Sequence, residues 1–141
     1  MAGIRGRNTG PERLVRSLLH RAGFRFRLHR RDLPGSPDIV LPRHRAVVFV
    51  HGCFWHAHPG CPLAKEPASN AEFWHRKLLA NRARDARAVE ALLAAGWRVL
   101  VVWECGLRGR KDHGPLARFL ASWVAGRRRL AEYPPPRLSG R

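Results

Sequence analysis

The eleven residues His51-Gly52-Cys53-Phe54-Trp55-His56-Ala57-His58-Pro59-Gly60-Cys61 hold three histidines, two of the chain's three cysteines and two adjacent aromatics. Thiolates and imidazoles crowded at this spacing are the donor types of Zn²⁺, which takes four nitrogen or sulfur ligands in a tetrahedron. Cys53, His56, His58 and Cys61, with the distant Cys105, supply five donors, one more than a closed site needs. Three thiolates and one imidazole would pin this loop to the end of a later strand and leave a histidine over for catalysis. Imidazole, with an unperturbed pKa near ~6.5, passes protons at neutral pH. The plainer alternative is three inert buried thiols. An odd cysteine count speaks against a closed disulfide framework.

A second candidate centre is Pro37-Asp38, ahead of an apolar run. A carboxylate at a strand edge can hold Mg²⁺, which binds one or two carboxylates together with substrate phosphate oxygens. Taken alone, a Pro-Asp dipeptide is ordinarily a turn. Glu12, the only acid in the first helical stretch, is adequately explained as a residue favoured by the helix dipole.

These groups need elements to position them. Thr9-Gly10-Pro11-Glu12 reads as a capping box with Pro in the first turn, and Leu14, Val15, Leu18, Leu19 and Ala22 then share one helical face up to Gly23. Phe24 to His29 alternates apolar and basic residues, the pattern of a half-buried strand. Pro37 to Pro42 and Ala46 to Val50 read as two further strands of a β-meander, which brings Asp38 and His51 to one region of the sheet if they pair. Ser69-Asn70-Ala71-Glu72 offers a second capping box, before a helix that runs to Ala95 and stops at Gly96. Trp97 to Trp103 is the most apolar strand, expected in the sheet interior and parallel to an earlier strand through the helical crossover. Leu116, Phe119, Leu120, Trp123 and Val124 give a last helix that ends at Gly126. The order α-β-β-β-α-β-α is that of a small α/β sandwich, a mixed sheet flanked by helices.

The 141 residues suit one domain, taken as 11–126, between a basic arm at 1–10 and a basic, proline-rich tail at 127–141. An apolar share of 45% is globular, with no uncharged run of membrane-spanning length and no apolar leader, so the expected compartment is the cytoplasm. Lys and Arg number 27 against 10 acids, a net charge of +17. Such an excess attracts a polyanion, and counterion release makes nucleic acid the leading partner. The basic residues are too dispersed for one membrane-binding helix.

Read together, Pro-Asp-Ile-Val at 37–40, Val-Phe-Val-His-Gly-Cys-Phe-Trp-His at 48–56, Glu-Phe-Trp at 72–74, Asn-Arg-Ala-Arg-Asp at 81–85 and Gly-Trp-Arg-Val-Leu-Val-Val-Trp-Glu-Cys at 96–105 resemble the very short patch repair endonuclease family. The resemblance covers about residues 3 to 125. It implies a restriction-endonuclease-like fold in which the usual second acid and lysine are replaced by Phe49 and His51. It implies a strand-specific nicking enzyme that cuts double-stranded DNA beside a T:G mismatch left by deamination of 5-methylcytosine. Asp38 then matches the Mg²⁺ ligand, with the Val50 main-chain carbonyl as a second ligand, and His56 matches the catalytic acid–base. Glu12, His51 and Asp85 match groups that orient the active-site water and hydrogen bonds, and Cys53, His58, Cys61 and Cys105 match structural Zn²⁺ ligands. Pro59-Gly60 fall where the family varies in spacing, which bears on the histidine ligand more than on the cysteines.

Phe54, Trp55 and Trp74 match aromatics that wedge into the duplex. Unstacking costs a few kcal/mol per step and is cheapest where pairing is already poor, which gives selectivity for mismatches. Core packing is the reading for Trp97, Trp103 and Trp123. A monomer is expected, because an asymmetric mismatch offers no two-fold axis; mismatch-repair proteins are candidate partners. Two alternatives compete: a same-fold nickase with different DNA recognition in restriction or host defence, and a non-catalytic zinc-stabilised DNA-binding module. The second needs none of Asp38, His51, His56 and Glu12.

Overall fold

The structure is a computed structural model that describes residues 10–136. Residues 1–9 of the basic arm, with Thr9 of the first capping box, and the last five residues lie outside the described part. Helix α1 (Gly10–Arg21) leads into strands β1 (Arg27–Leu28), β2 (Ile39–Leu41) and β3 (Ala46–His51). Helix α2 (Ala71–Ala94), strand β4 (Arg98–Trp103), helix α3 (Gly114–Ala125) and strand β5 (Leu130–Tyr133) follow.

The five strands form one sheet in sequence order. The β1–β2 and β2–β3 pairs are antiparallel, as expected for a meander, with Ile39 opposite Val48. β3 and β4 run parallel through the α2 crossover, with Ala46 opposite Arg98 and His51 opposite Trp103. β4 and β5 run parallel through α3. β4 is therefore an interior strand.

Helices cover both faces, which is why β3 and β4 read as unbroken apolar runs rather than as alternation. On one face, Val15 and Leu19 of α1 and Leu116, Leu120 and Trp123 of α3 pack on Ile39, Leu41, Val48, Leu100 and Val102. On the other, Leu92, with Val89 and Leu93 of α2, packs on Val40, Val47, Phe49, Val99, Val101 and Trp103. The alternation of residues 47, 49 and 51 turns His51 towards the α2 side. Trp97, Trp103 and Trp123 are core residues, as read from the sequence. No helix among the described residues is long and apolar enough to cross a membrane.

Three local expectations change. Only Arg27 and Leu28 of the 24–29 stretch are strand, and both are exposed. Phe24 and Phe26 do lean on the core, but three-residue β2 leaves ladder partners for two positions alone. The second capping box is not made: Asn70, not Ser69, precedes α2, at φ +56° and without a side-chain cap. Asn tolerates that left-handed conformation, whereas a capping Ser needs an extended backbone. Finally, β5 lies within the stretch read as a tail; its one buried side chain, Ala131, is too weak a signal to find in sequence.

Arg98 locks this end of the sheet. Its guanidinium donates to the carbonyls of Trp123 and Val124 at the end of α3, at 3.0 and 2.7 Å, and to His44 O at 3.3 Å. It also lies 4.6 Å over the Trp123 ring. Leu100, fully buried between the helices and its neighbour strands, tests the core. Leu100→Ala should lower the unfolding free energy in urea by about 2–5 kcal/mol, and Leu79→Ala on the exposed side of α2 by less than about 0.5 kcal/mol.

Candidate active site and thiolate cluster

Where β2 starts beside the end of β3, the Asp38 carboxylate accepts the Val50 N–H at 2.7 Å. The antiparallel register creates this meeting, and it confirms that the strand pair brings Asp38 and the His51 region together. Burial pushes the Asp38 carboxyl up to about 6, against the hydrogen bond from Val50; Glu12 raises it further, while His29 and His56 lower it. Asp38 therefore senses groups from α1, from the end of β1 and from the loop after β3.

Glu12, 1% exposed, is not merely a residue near a helix start. Its carboxylate receives the His29 Nε2–H at 2.6 Å, and Arg16 lies 3.9 Å away. His29 was not singled out in the sequence, where it closes a basic-apolar alternation. It sits at φ +49°, and its N–H donates to the Asp38 carbonyl at 3.1 Å. The side-chain donor atoms of Glu12, His29 and Asp38 all lie within 4.8 Å of one another. Two carboxylates in such a group suit a hard divalent cation.

On the α2 side, His56 and His51 stack face to face, with centroids 3.7 Å apart and planes 2° from parallel. His56 Nδ1–H donates to Asp85 at 2.7 Å, which leaves Nε2 as the free ring nitrogen. Asp85 reaches this position from the middle of α2, 29 residues along the chain. Burial, and then the adjacent His56, push the His51 pKa down to about 3, so His51 is neutral at any working pH. Its Nδ1 has no hydrogen-bond partner among the described residues. His51, His56 and Asp85 line a cavity of about 700 Å³ together with Arg82, Arg110 and Glu132.

Cys53, His58, Cys61 and Cys105 bring their donor atoms within 4.8 Å of one another. A tetrahedral zinc with thiolates at about 2.3 Å spaces its ligands about 3.8 Å apart, so this donor set fits such an ion after a small contraction. Burial raises the Cys53 thiol to about 12, the kind of shift a bound cation reverses. Cys105 N–H donates to Cys53 Sγ at 3.4 Å, and His58 Nδ1 stands 3.6 Å from Cys105 Sγ. His58 also stacks on Trp103 at 4.0 Å, and the Trp103 indole donates to Glu132 of β5 at 3.0 Å. The histidine beside the thiols is thus His58, and His56 is the one left over.

Phe54, Trp55 and Trp74 gather edge to face, at centroid separations of 5.0 to 5.9 Å. Phe73, another residue the sequence reading passed over, joins through Trp74 at 5.2 Å. Trp55 is 50% and Phe73 54% exposed, so the cluster presents an apolar surface to solvent. The Trp55 carbonyl accepts from Asn81 of α2 at 3.0 Å, which ties the loop to the helix that carries Asp85.

The family model described as DNA mismatch endonuclease Vsr matches residues 1–61. The type II nicking enzyme V.XorIIP of Xanthomonas oryzae pv. oryzae is 60% identical over 107 residues, 76% of this chain and 78% of its own. The DNA mismatch endonuclease Vsr of Escherichia coli is 45% identical over 128 residues, 89% of this chain and 81% of its own. The type II nicking enzyme V.NmeAIP of Neisseria meningitidis serogroup A is 43% identical over 110 residues, 78% of each chain. Identity this high over this much of both chains leaves one conclusion: the chain belongs to the Vsr family of DNA endonucleases.

Proposed function

We propose that this protein is a strand-specific, Mg²⁺-dependent nicking endonuclease that cuts double-stranded DNA beside T:G mismatches. The observation that carries the reading is the convergence of two clusters, Glu12–His29–Asp38 and His51–His56–Asp85, with Asp38 inside the electrostatic reach of His56. A restriction-endonuclease-like fold goes with it, as do a cytoplasmic monomer and contact with mismatch-repair proteins.

Asp38 and the Val50 main-chain carbonyl would hold Mg²⁺, with Glu12 orienting its water shell. When bound, the ion neutralises phosphate charge and makes water a better nucleophile. The protein's own groups do the rest. His29 fixes the Glu12 carboxylate by its 2.6 Å bond and fixes Asp38 through the backbone. Asp85 holds His56 in the Nδ1–H form, so Nε2 is the atom that takes or gives a proton at the scissile phosphate. Neutral His51 packs beneath the His56 ring and presents no competing charge. Phe54, Trp55, Trp74 and Phe73 would enter the stack where pairing is weak. Zn²⁺ on Cys53, His58, Cys61 and Cys105 would hold the loop between β3 and α2 against the end of β4.

The names of the relatives favour one second reading. Several are called type II nicking enzymes, so nicking linked to restriction, with a different or relaxed recognition, competes with general T:G repair. A strand-resolved nicking assay on T:G, other mismatched and fully paired duplexes separates the two. Cutting of one strand confined to T:G supports the proposal; equal cutting of paired DNA defeats it.

Asp38→Ala and His56→Ala should each slow nicking at least about 10²-fold while mismatched DNA is still bound in a gel-shift assay. His29→Gln should slow it about 10- to 100-fold by releasing Glu12. Full cleavage by Asp38→Ala would refute the assignment.

The half-buried Asp38 carboxylate also costs stability when no cation is present. Its value of about 6 in the folded chain exceeds the ordinary 3.8, so the cost is complete above pH 6 and fades as pH falls towards 4. In chelator at pH 8, Asp38→Asn should therefore unfold about 2–3 kcal/mol later than the wild type in urea, with no difference below pH 4. Equal stability at pH 8 would remove the burial argument.

For the thiolate cluster, metal analysis should find one zinc per chain. Cys105→Ser should lower the thermal midpoint by at least about 5 °C and lose the metal. A metal-free wild type of unchanged midpoint would exclude a structural zinc.

A further inference from the structure

The end of the sheet away from His51 carries a different chemistry. The turn before β3, the start of β4 and the turn before β5 meet there: Arg98 N–H donates to Arg45 O at 2.7 Å, and Val99 N–H to Arg129 O at 2.8 Å. Residues 42–46, 95–99 and 125–130 contain Arg43, Arg45, Arg98, Arg127, Arg128, Arg129 and His44, and no acid. Three of these arginines serve the fold. Arg45 donates to Ala95 O and Arg129 to Leu93 O at the end of α2, and Arg98 covers the last carbonyls of α3. The negative helix ends, which would repel an anion, are thus already answered by cations.

Among the described residues, Arg127 and Arg128 have no such duty. A groove of about 400 Å³ runs along α3 from Pro115 to Arg128, lined by Arg118, Phe119, Ser122, Trp123 and Arg127. Arg118, Arg127 and Arg128 are exposed, and none makes an ion pair among the described residues. Trp123, whose buried indole N–H has no acceptor among them, also lines the groove. α3 covers the sheet face opposite the α2 face towards which His51 turns, so a straight duplex seated in this groove is not the one lying against His51 and His56.

We propose that this groove is a second nucleic-acid site, where Arg118, Arg127 and Arg128 hold the phosphate backbone of a duplex segment other than the one being cut. Exposed guanidinium groups meet phosphate oxygens bidentately, and here they share the groove lining with the apolar rings of Phe119 and Trp123. Recognition is independent of sequence, because only backbone charge is read. The enzyme would then bridge two stretches of DNA, with one end cutting while the other is tethered.

The test compares the wild type with the triple variant Arg118→Ala, Arg127→Ala, Arg128→Ala, all at exposed positions that leave the fold intact. Two short, fully paired duplexes with donor and acceptor dyes report bridging by energy transfer. Neither duplex needs to be cut, so failure of the nicking proposal cannot be mistaken for failure of this one. The wild type should bring the dyes together, the triple variant should lose most of the transfer, and single-turnover nicking of a mismatched duplex should stay within two-fold. Inorganic phosphate at an ionic strength matched with chloride should suppress transfer no more than chloride does, if a duplex backbone and not a lone phosphate is the ligand. The idea is overturned if the wild type shows no bridging, if the triple variant bridges as well as the wild type, if phosphate at matched ionic strength abolishes transfer, or if nicking falls in step with bridging. The last outcome would assign these arginines to the duplex being cut.

Discussion

Asp38 is ionisable, largely out of water, and held by one backbone N–H from the neighbouring strand. A carboxylate so placed is expensive unless it meets a cation, and the surrounding architecture makes sense as the means of keeping it there. The β2–β3 ladder aligns it with Val50, while α1 supplies Glu12 behind it. His29 ties both acids together from a left-handed backbone position that a buried partner must hold in place.

The opposite wall is built by a different device. α2 is largely exposed and carries few buried side chains, Leu78 and Leu92 among them, so packing alone anchors it lightly. Polar links do part of the work: Asp85 to His56 and Asn81 to the Trp55 carbonyl. The loop they grasp is in turn gathered on Cys53, His58, Cys61 and Cys105, which reach across to the end of β4. Acid–base geometry and thiolate geometry therefore share a single short segment of chain.

Most of this was legible because local chemistry and periodicity agree. The apolar runs of β3 and β4, the meander, the helix crossover and the Cys₃His donor set follow from composition and spacing. His29 and Phe73 were hidden because each looks like part of an ordinary pattern, one in an alternating stretch and one beside a more conspicuous Trp. β1 was overread, since its alternation is real but its partner strand is short. β5 was missed because pairing with β4, and not its own residues, makes it a strand. Asp85 was singled out through family resemblance, without a named partner; nothing in local pattern joins it to His56, 29 residues away.

β5 closes the flank of β4 with a ladder from Leu130 to Tyr133, and its Glu132 braces the Trp103 indole. A shortened chain ending before Leu130 would bare a row of backbone amides on a strongly apolar strand. Such an edge invites intermolecular sheet growth. The short segment after α3 is thus a guard against aggregation as well as a brace for the histidine stacked on Trp103.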